Sequence, residues 1–177
     1  MMKFLVMPDR LILVDDKDNE IGIEEKMEAH RQGKLHRAFS IFVFNSKKQM
    51  LLQKRAVKKY HSGGLWTNTC CSHPQPNEGT EEAAHRRLKE EMGFDCDLTK
   101  VTSFIYKSDF GNGLTEHEFD HVFIGFFDGD IVPNKDEVDE FKFVDINELK
   151  NDIGNNPESY TTWFRIAMDK VNWESIL

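Results

Sequence analysis

Residues 71–94 read Cys71-Ser72-His73-Pro74-Gln75-Pro76-Asn77-Glu78-Gly79-Thr80-Glu81-Glu82-Ala83-Ala84-His85-Arg86-Arg87-Leu88-Lys89-Glu90-Glu91-Met92-Gly93-Phe94. A thiol, an imidazole and a charged helix fall within one supersecondary unit. The pattern predicts a helix from Thr80 to Met92. Thr80 can act as the N-cap, Glu81 and Glu82 favour the positive end of the helix dipole, and Gly93 suits a left-handed C-cap. Ala84, Leu88 and Met92 recur at i, i+4 and i+8 and would form the core-facing stripe. Glu90 and Glu91, just after Arg86 and Arg87, could hold a hard divalent ion against a phosphate. Arg87 and Glu91, four apart, could equally pair on the helix surface.

Working outward, Leu11 to Val14 is a short apolar strand followed by a turn at Asp15 to Gly22. Glu24 to His30 is polar and suits a strand end or one helical turn. Ala38 to Phe44 is apolar at nearly every position, as expected of a strand covered on both faces. Asn45 to Lys48 then turns the chain, and Gln49 to Arg55 returns as a partner strand. Phe104 to Tyr106, Glu116 to Phe127 and Phe141 to Val144 read as further strands, with a turn at Gly111-Asn112-Gly113 between the first two. Asn156-Pro157 can start a final helix through Ala167. Strands, helix, strands, helix is the order of an α+β layer sandwich rather than a doubly wound sheet.

The 177 residues suit a single domain, 1–177, with a substantial core. With 39% hydrophobic and 31% charged residues the chain reads as soluble and globular. A net charge of −8 argues against a nucleic-acid partner. Cys70, Cys71 and Cys96 are odd in number and include an adjacent pair, which is no disulfide framework and favours a reducing compartment. No apolar run is long enough to span a bilayer. Residues 1–7 are apolar but too short for a signal peptide and are cut off by Pro8-Asp9-Arg10. The expected location is the cytoplasm, with no membrane partner.

Candidate chemistry centres on His30, His36, His73, Glu116 and Glu118. In a strand, Glu116 and Glu118 point to one face. Such a pair is awkward in a buried setting unless it binds a cation. Three imidazoles and two carboxylates suit a borderline divalent ion such as Zn, Mn or Fe; each His could also be a separate surface or core residue. His61, His85, His117 and His121 carry no such pattern and read as ordinary surface or core residues. Cys71 is an ordinary buried thiol or, with His73 two residues on, a reactive one. Cys70 and Cys96 read as structural.

The spacing Glu78, seven residues, Arg86, Leu88, Glu90-Glu91, Gly93-Phe94 resembles the Nudix box, with two departures. Ser72 stands where the box has its first Gly, and Arg87 where it has a helix Glu. Further matches are Glu25-Lys26 with His30, Lys34 to Ser40, Gln53 to Ala56, Trp66-Thr67-Asn68 with Cys71-Ser72-His73-Pro74, Tyr106, Glu116-His117-Glu118 and Trp163. Through these the chain resembles the type I isopentenyl-diphosphate isomerases from about Glu25 to Trp163. The resemblance implies a Nudix-type α/β/α sandwich with a mixed sheet and an enzyme that moves a double bond in a small diphosphate. It implies Cys71 and Glu118 as the proton-handling pair, with Tyr106 beside the acidic side. It implies Lys26, Arg55, Lys59 and Arg87 at the diphosphate and Trp163 facing a cationic centre. His30, His36, His73, Glu116 and Glu118 match the family's metal ligands, for Mn2+ or Zn2+, and Glu91 matches the ligand of a Mg2+ that bridges to the diphosphate. Two other readings are a Nudix pyrophosphohydrolase, which would need Glu90 and Glu91 but not Cys71, and a Nudix-like module that binds without turnover.

Overall fold

The computed structural model describes residues 9–59 and 61–176; the apolar segment at residues 1–7 lies outside them. The run expected to be covered on both faces is strand β3 (His36–Phe44), buried at every position but one. It is buried because it lies at the centre of a mixed nine-stranded sheet. Along one edge it pairs in parallel with β8 (Thr115–Phe126), from His36 opposite Glu118 to Phe44 opposite Phe126. β8 in turn pairs with β7 (Leu98–Asp109) in a long antiparallel hairpin. Three other strands meet β3: β1 (Arg10–Val14) at His36, the short β6 (Cys70–Ser72) at Phe39 to Ile41, and β4 (Met50–Arg55) at Phe44.

The expected partnership of Gln49 to Arg55 with β3 is therefore confined to one residue pair, Phe44 opposite Met50. β6 pairs with β3 at the positions a simple hairpin would have used. β4 instead builds its ladder with β9 (Val138–Val144) and, at its other edge, with β5 (Trp66–Thr67). The turn after β1 is also shorter than expected, because β2 already begins at Glu20 and runs to Glu25. The polar stretch Glu24 to His30 is both a strand end and a helix start. α1 (Lys26–Gln32) follows β2 directly, with the Glu25 carboxylate accepting from the Met27 and Glu28 N–H groups.

Alternation along β3 builds the two layers. Phe39, Ile41 and Val43 pack with Ala83, Ala84, Leu88 and Met92 of α2 (Thr80–Met92). Phe42 and Phe44 pack with Trp163, Phe164 and Ala167 of α4 (Thr162–Lys170) and with Trp173. The helix of the opening segment thus spans the expected residues. Its N-cap is Gly79 rather than Thr80, with no side-chain cap bond. Two differences fall near the C-terminus. α3 (Ile146–Asn155) was not expected, although Asp145 caps it through the Asn147 and Glu148 N–H groups. Pro157 starts only a single 3-10 turn, Pro157–Ser159, and the last helix begins at Thr162. The chain between them is extended, where the Thr161 N–H donates to the Trp66 carbonyl at 2.9 Å. Among the described residues no helix is long and apolar enough to cross a membrane.

Gly93 ends α2 in the left-handed region (φ 75°), and a Cβ there would sit 2.1 Å from the Val132 carbonyl oxygen. Strain at a left-handed alanine adds to a clash with backbone that cannot rotate away. Gly93→Ala is expected to destabilise the protein by about 2–4 kcal/mol in urea unfolding. A loss below about 1 kcal/mol would show that the Val132 segment yields freely.

Candidate active site

Over the first half of β8 the outward–inward alternation is inverted relative to polarity: Glu116, Glu118 and Asp120 are buried, and His117 and Phe119 between them are half-exposed, before the strand becomes buried throughout from His121 to Gly125. Burying three carboxylates on one face is costly without compensating partners. The parallel register sets His36 directly beside Glu118. His30 comes in from α1, and His73 from the chain just after β6. One ligand atom from each of His30, His36, His73 and Glu118 lies within 4.8 Å of all the others.

The backbone fixes how these rings present themselves. The Nδ1 atoms of His30 and His36 lie 2.6 Å from the Lys26 carbonyl and 2.8 Å from the Lys34 carbonyl. Those bonds require protonated Nδ1 and leave both Nε2 lone pairs available as ligands. His73 Nε2 lies 2.9 Å from Glu118 Oε1. His36 Nε2 is 3.5 Å from the same oxygen and, although fully buried, has no hydrogen-bond partner. An orphaned imidazole nitrogen within a cluster of three imidazoles and a carboxylate fits a divalent cation. Burial lowers the pKa of His30, and it lowers that of His73 to about 4, which keeps both rings neutral as ligands must be. Burial pushes Glu118 up, but the His36 and His73 rings outweigh it and hold the carboxyl well below its usual range.

Glu116 stands beside this cluster rather than within it. Tyr106 Oη is 2.7 Å from Glu118 Oε2 and 3.0 Å from Glu116 Oε2. One hydroxyl proton cannot satisfy two carboxylates, so the bridge is complete when Glu116 carries a proton. Burial and then the Glu118 charge push the Glu116 carboxyl well above its ordinary range, in agreement with that requirement. The Tyr106 phenol is likewise raised by burial and by Glu118.

Cys71, on β6, lines the same cavity as Tyr106, Glu116, Glu118 and Trp163. It pairs with Ser40 of β3, whereas Cys70 points to the opposite face and packs under α2. Burial pushes the Cys71 thiol well above its ordinary value, so it retains its proton at neutral pH. Trp163, in the first turn of α4, is 5% exposed. The Arg55 guanidinium lies over one face of its indole, 5.2 Å from the ring centroid.

Lys26, Arg55, Lys59 and Arg87 supply positive charge to this cavity. Of the two adjacent lysines, Lys58 turns outward to Asp136, while Lys59 lines the cavity and pairs with Glu137. Arg87 does pair with its helix neighbour: it donates to Glu91 Oε1 and to Glu90 Oε2, each at 2.6 Å. The Glu91 charge and these bonds outweigh the effect of burial and raise the Arg87 pKa. Gln53 of β4 holds the other Glu91 oxygen at 2.8 Å. Arg86 meets Glu78 in a two-pronged bond, at 2.6 and 2.8 Å, which straps the loop before α2 onto the helix. The Nε atoms of Arg55 and Arg87 are buried without hydrogen-bond partners.

The residues that the resemblance assigned to proton handling, diphosphate and metal all fall in the His/Glu cluster or on the wall of one cavity, whereas Glu90, also a candidate for the ion, lies outside it and pairs with Arg86 and Arg87. Three neighbours were given no role from the sequence: Gln53, matched only as part of a motif, and Glu137, unnamed, which hold Glu91 and Lys59, and His61, read as an ordinary residue, which lines the cavity. His61 lies in a loop with no periodicity; its one sequence signal is its place between Lys58-Lys59 and Gly63-Gly64.

Residues 34–164 match the NUDIX domain family. Isopentenyl-diphosphate Delta-isomerase 2 of Aromatoleum aromaticum is 57% identical over 165 residues, which cover 93% of this chain and 87% of that protein. Isopentenyl-diphosphate Delta-isomerase 2 of Photorhabdus laumondii is 54% identical over 170 residues, 96% of each chain. Among solved structures, DR0079 from Deinococcus radiodurans superposes with a TM-score of 0.70 at 22% identity, over 83% of this chain and 90% of that one. The MutT protein from Methanosarcina mazei superposes with a TM-score of 0.65 at 18% identity, over 80% and 95%. At such identities the structural likeness speaks to the fold alone.

Proposed function

The chain belongs to the NUDIX-fold isopentenyl-diphosphate Delta-isomerase family, and we propose that it converts isopentenyl diphosphate into dimethylallyl diphosphate with Cys71 and Glu118 as its two proton sites. Moving an unactivated double bond requires a proton added to one carbon and another removed from a near neighbour, through a tertiary carbocation-like state. Two groups acting on different parts of one substrate are needed. The observation that carries the reading is that Cys71, from β6, and the Tyr106–Glu118 pair, from the β7–β8 hairpin, line one cavity. Tyr106 connects Glu118 to Glu116, so a proton taken up at one carboxylate has a hydrogen-bonded path to the other.

Trp163 offers an indole face to the cationic state, an interaction of about 2 kcal/mol or more where water is excluded. Lys26, Arg55, Lys59 and Arg87 bind and orient the diphosphate. His30, His36, His73 and Glu118, with Glu116 alongside, would hold Mn2+ or Zn2+, and Glu91 would hold a Mg2+ shared with the diphosphate. Such ions supply positive charge that sets carboxylate acidity and neutralises phosphate oxygens. Arg87 stands where a hydrolase of this fold would use a carboxylate and is bonded to Glu91, which favours isomerisation over pyrophosphate hydrolysis. We read 1–177 as one catalytic domain, because residues from Lys26 to Trp163 supply one cavity. We place the enzyme in the cytoplasm, where the free thiols Cys70, Cys71 and Cys96 would stay reduced.

Proton NMR with isopentenyl diphosphate and Mg2+ in deuterated water tests this directly. The expected result is growth of dimethylallyl methyl signals with deuterium incorporated. Release of phosphate or pyrophosphate in their place would move the assignment to a hydrolase. An unchanged substrate with a folded, metal-loaded protein would leave a binding module.

A further inference from the structure

His61, in the loop between β4 and β5, takes no part in the proton chemistry, yet it lines the cavity with Cys71, Tyr106 and Glu118. Its ring stacks on Phe110, with centroids 5.2 Å apart and planes 19° from parallel. The same ring stands edge-on to Trp163, 5.7 Å between centroids at 90°. Its backbone carbonyl accepts from Arg55 Nη2 at 3.3 Å, and Arg55 in turn lies over one face of Trp163. Phe110 follows the last residue of β7, and its N–H donates to the Leu114 carbonyl at 3.0 Å across the hairpin tip. Two segments far apart in sequence thus meet through an aromatic stack at the edge of Trp163.

We propose that His61, buttressed by Phe110, is a positioning residue that seals the carbocation compartment of this cavity against water. The inference rests on the isomerase reading, which places Trp163 beside the cationic carbon. A tertiary cation reacts with any water that reaches it, so the wall around Trp163 must be closed during the reaction. The two stacked rings fill that wall with flat, rigid surface. Burial, and then the neighbouring Arg55 charge, hold the His61 pKa down to about 3. The ring is therefore neutral at working pH and adds no repulsion to the forming cation.

In a leaking cavity, a water lone pair bonds to the tertiary carbon and the surplus water proton returns to solvent. The product is 3-hydroxy-3-methylbutyl diphosphate, and no oxidant or reductant is consumed. His61→Ala and Phe110→Ala are expected to divert about a tenth or more of turnovers to this alcohol, and to lower kcat about tenfold with little change in KM, because the cation forms only after binding. His61→Phe keeps an aromatic plate and should return the product ratio towards wild type. The assay is carbon-13 NMR of the product mixture from labelled isopentenyl diphosphate. A product ratio counts per turnover, so it does not depend on how much of a variant folds, and the two alanine variants reach the stack from different segments. If both give the wild-type ratio, or lose kcat without forming the alcohol, the seal is overturned. If the wild-type enzyme forms no dimethylallyl diphosphate, the isomerase reading itself has failed and takes this inference with it.

Discussion

Cys71→Ala lowers kcat about a thousandfold while substrate affinity stays within about threefold of wild type; that is the expected result, and its size follows from what one positioned proton-transfer group contributes. The thiol lies on the cavity wall, and burial raises its pKa so that it holds its proton at neutral pH. Removing Sγ takes away one of the two proton sites and leaves Lys26, Arg55, Lys59 and Arg87 in place for the diphosphate. The backbone of β6 stays paired to β3 through Phe39, Ser40 and Ile41, so the loss should not be an unfolding effect. Single-turnover kinetics together with calorimetric titration of isopentenyl diphosphate separate the two terms. Turnover within tenfold of wild type would remove Cys71 from the chemistry. A binding loss as large as the rate loss would make it a structural residue.

Glu118→Gln should cost at least as much, about 10³–10⁴ in kcat, and should also empty the His/Glu cluster of metal. Glu118 has two hydrogen-bonding contacts and a charge to lose at once. It accepts from Tyr106 at 2.7 Å, lies 2.9 Å from His73 Nε2, and brings the negative charge that the three imidazoles lack. Its carboxyl is held well below the ordinary range by His36 and His73 against the opposing effect of burial, so it is charged at neutral pH. Glutamine has nearly the same shape but no charge, and its amide NH2 would face a ring nitrogen or a cation. Elemental analysis after dialysis, alongside the activity assay, reads both effects. Full metal occupancy with wild-type turnover would leave the carboxylate without its assigned role. Occupancy lost with turnover kept would separate the metal from the chemistry.

The box helix was legible because the Gly93 C-cap, the Glu78 to Phe94 spacing and the Ala84-Leu88-Met92 stripe are local properties; its N-cap, Gly79 rather than Thr80, was not. The same holds for β3, whose unbroken apolar run admits burial on both faces and little else. The two-residue rhythm of β8 places Glu116 and Glu118 on one face from the sequence alone. Helix α3 escaped because its apolar stripe is thin, with Leu149 its one fully buried side chain, and Pro157 drew attention to the turn beyond it. The pairing of β4 escaped because a hairpin is the default after a short turn, whereas the strand finds its ladder in β9, distant in the chain.

What the sequence by itself determined was membership of a fold and family, and the identity of the chemical groups. These depend on residue type and short-range spacing. Only the tertiary structure decided how those groups divide among partners: Glu116 bridged to Glu118 by Tyr106, Arg87 paired with Glu91 rather than left without a helix partner, and His61 stacked on Phe110 beside Trp163. Each of these choices among alternatives rests on distances of a few ångströms, which residue type and spacing leave open. Burial in a shared low-dielectric cavity then sets which groups keep their protons, and that is a property of the packed whole rather than of any one residue.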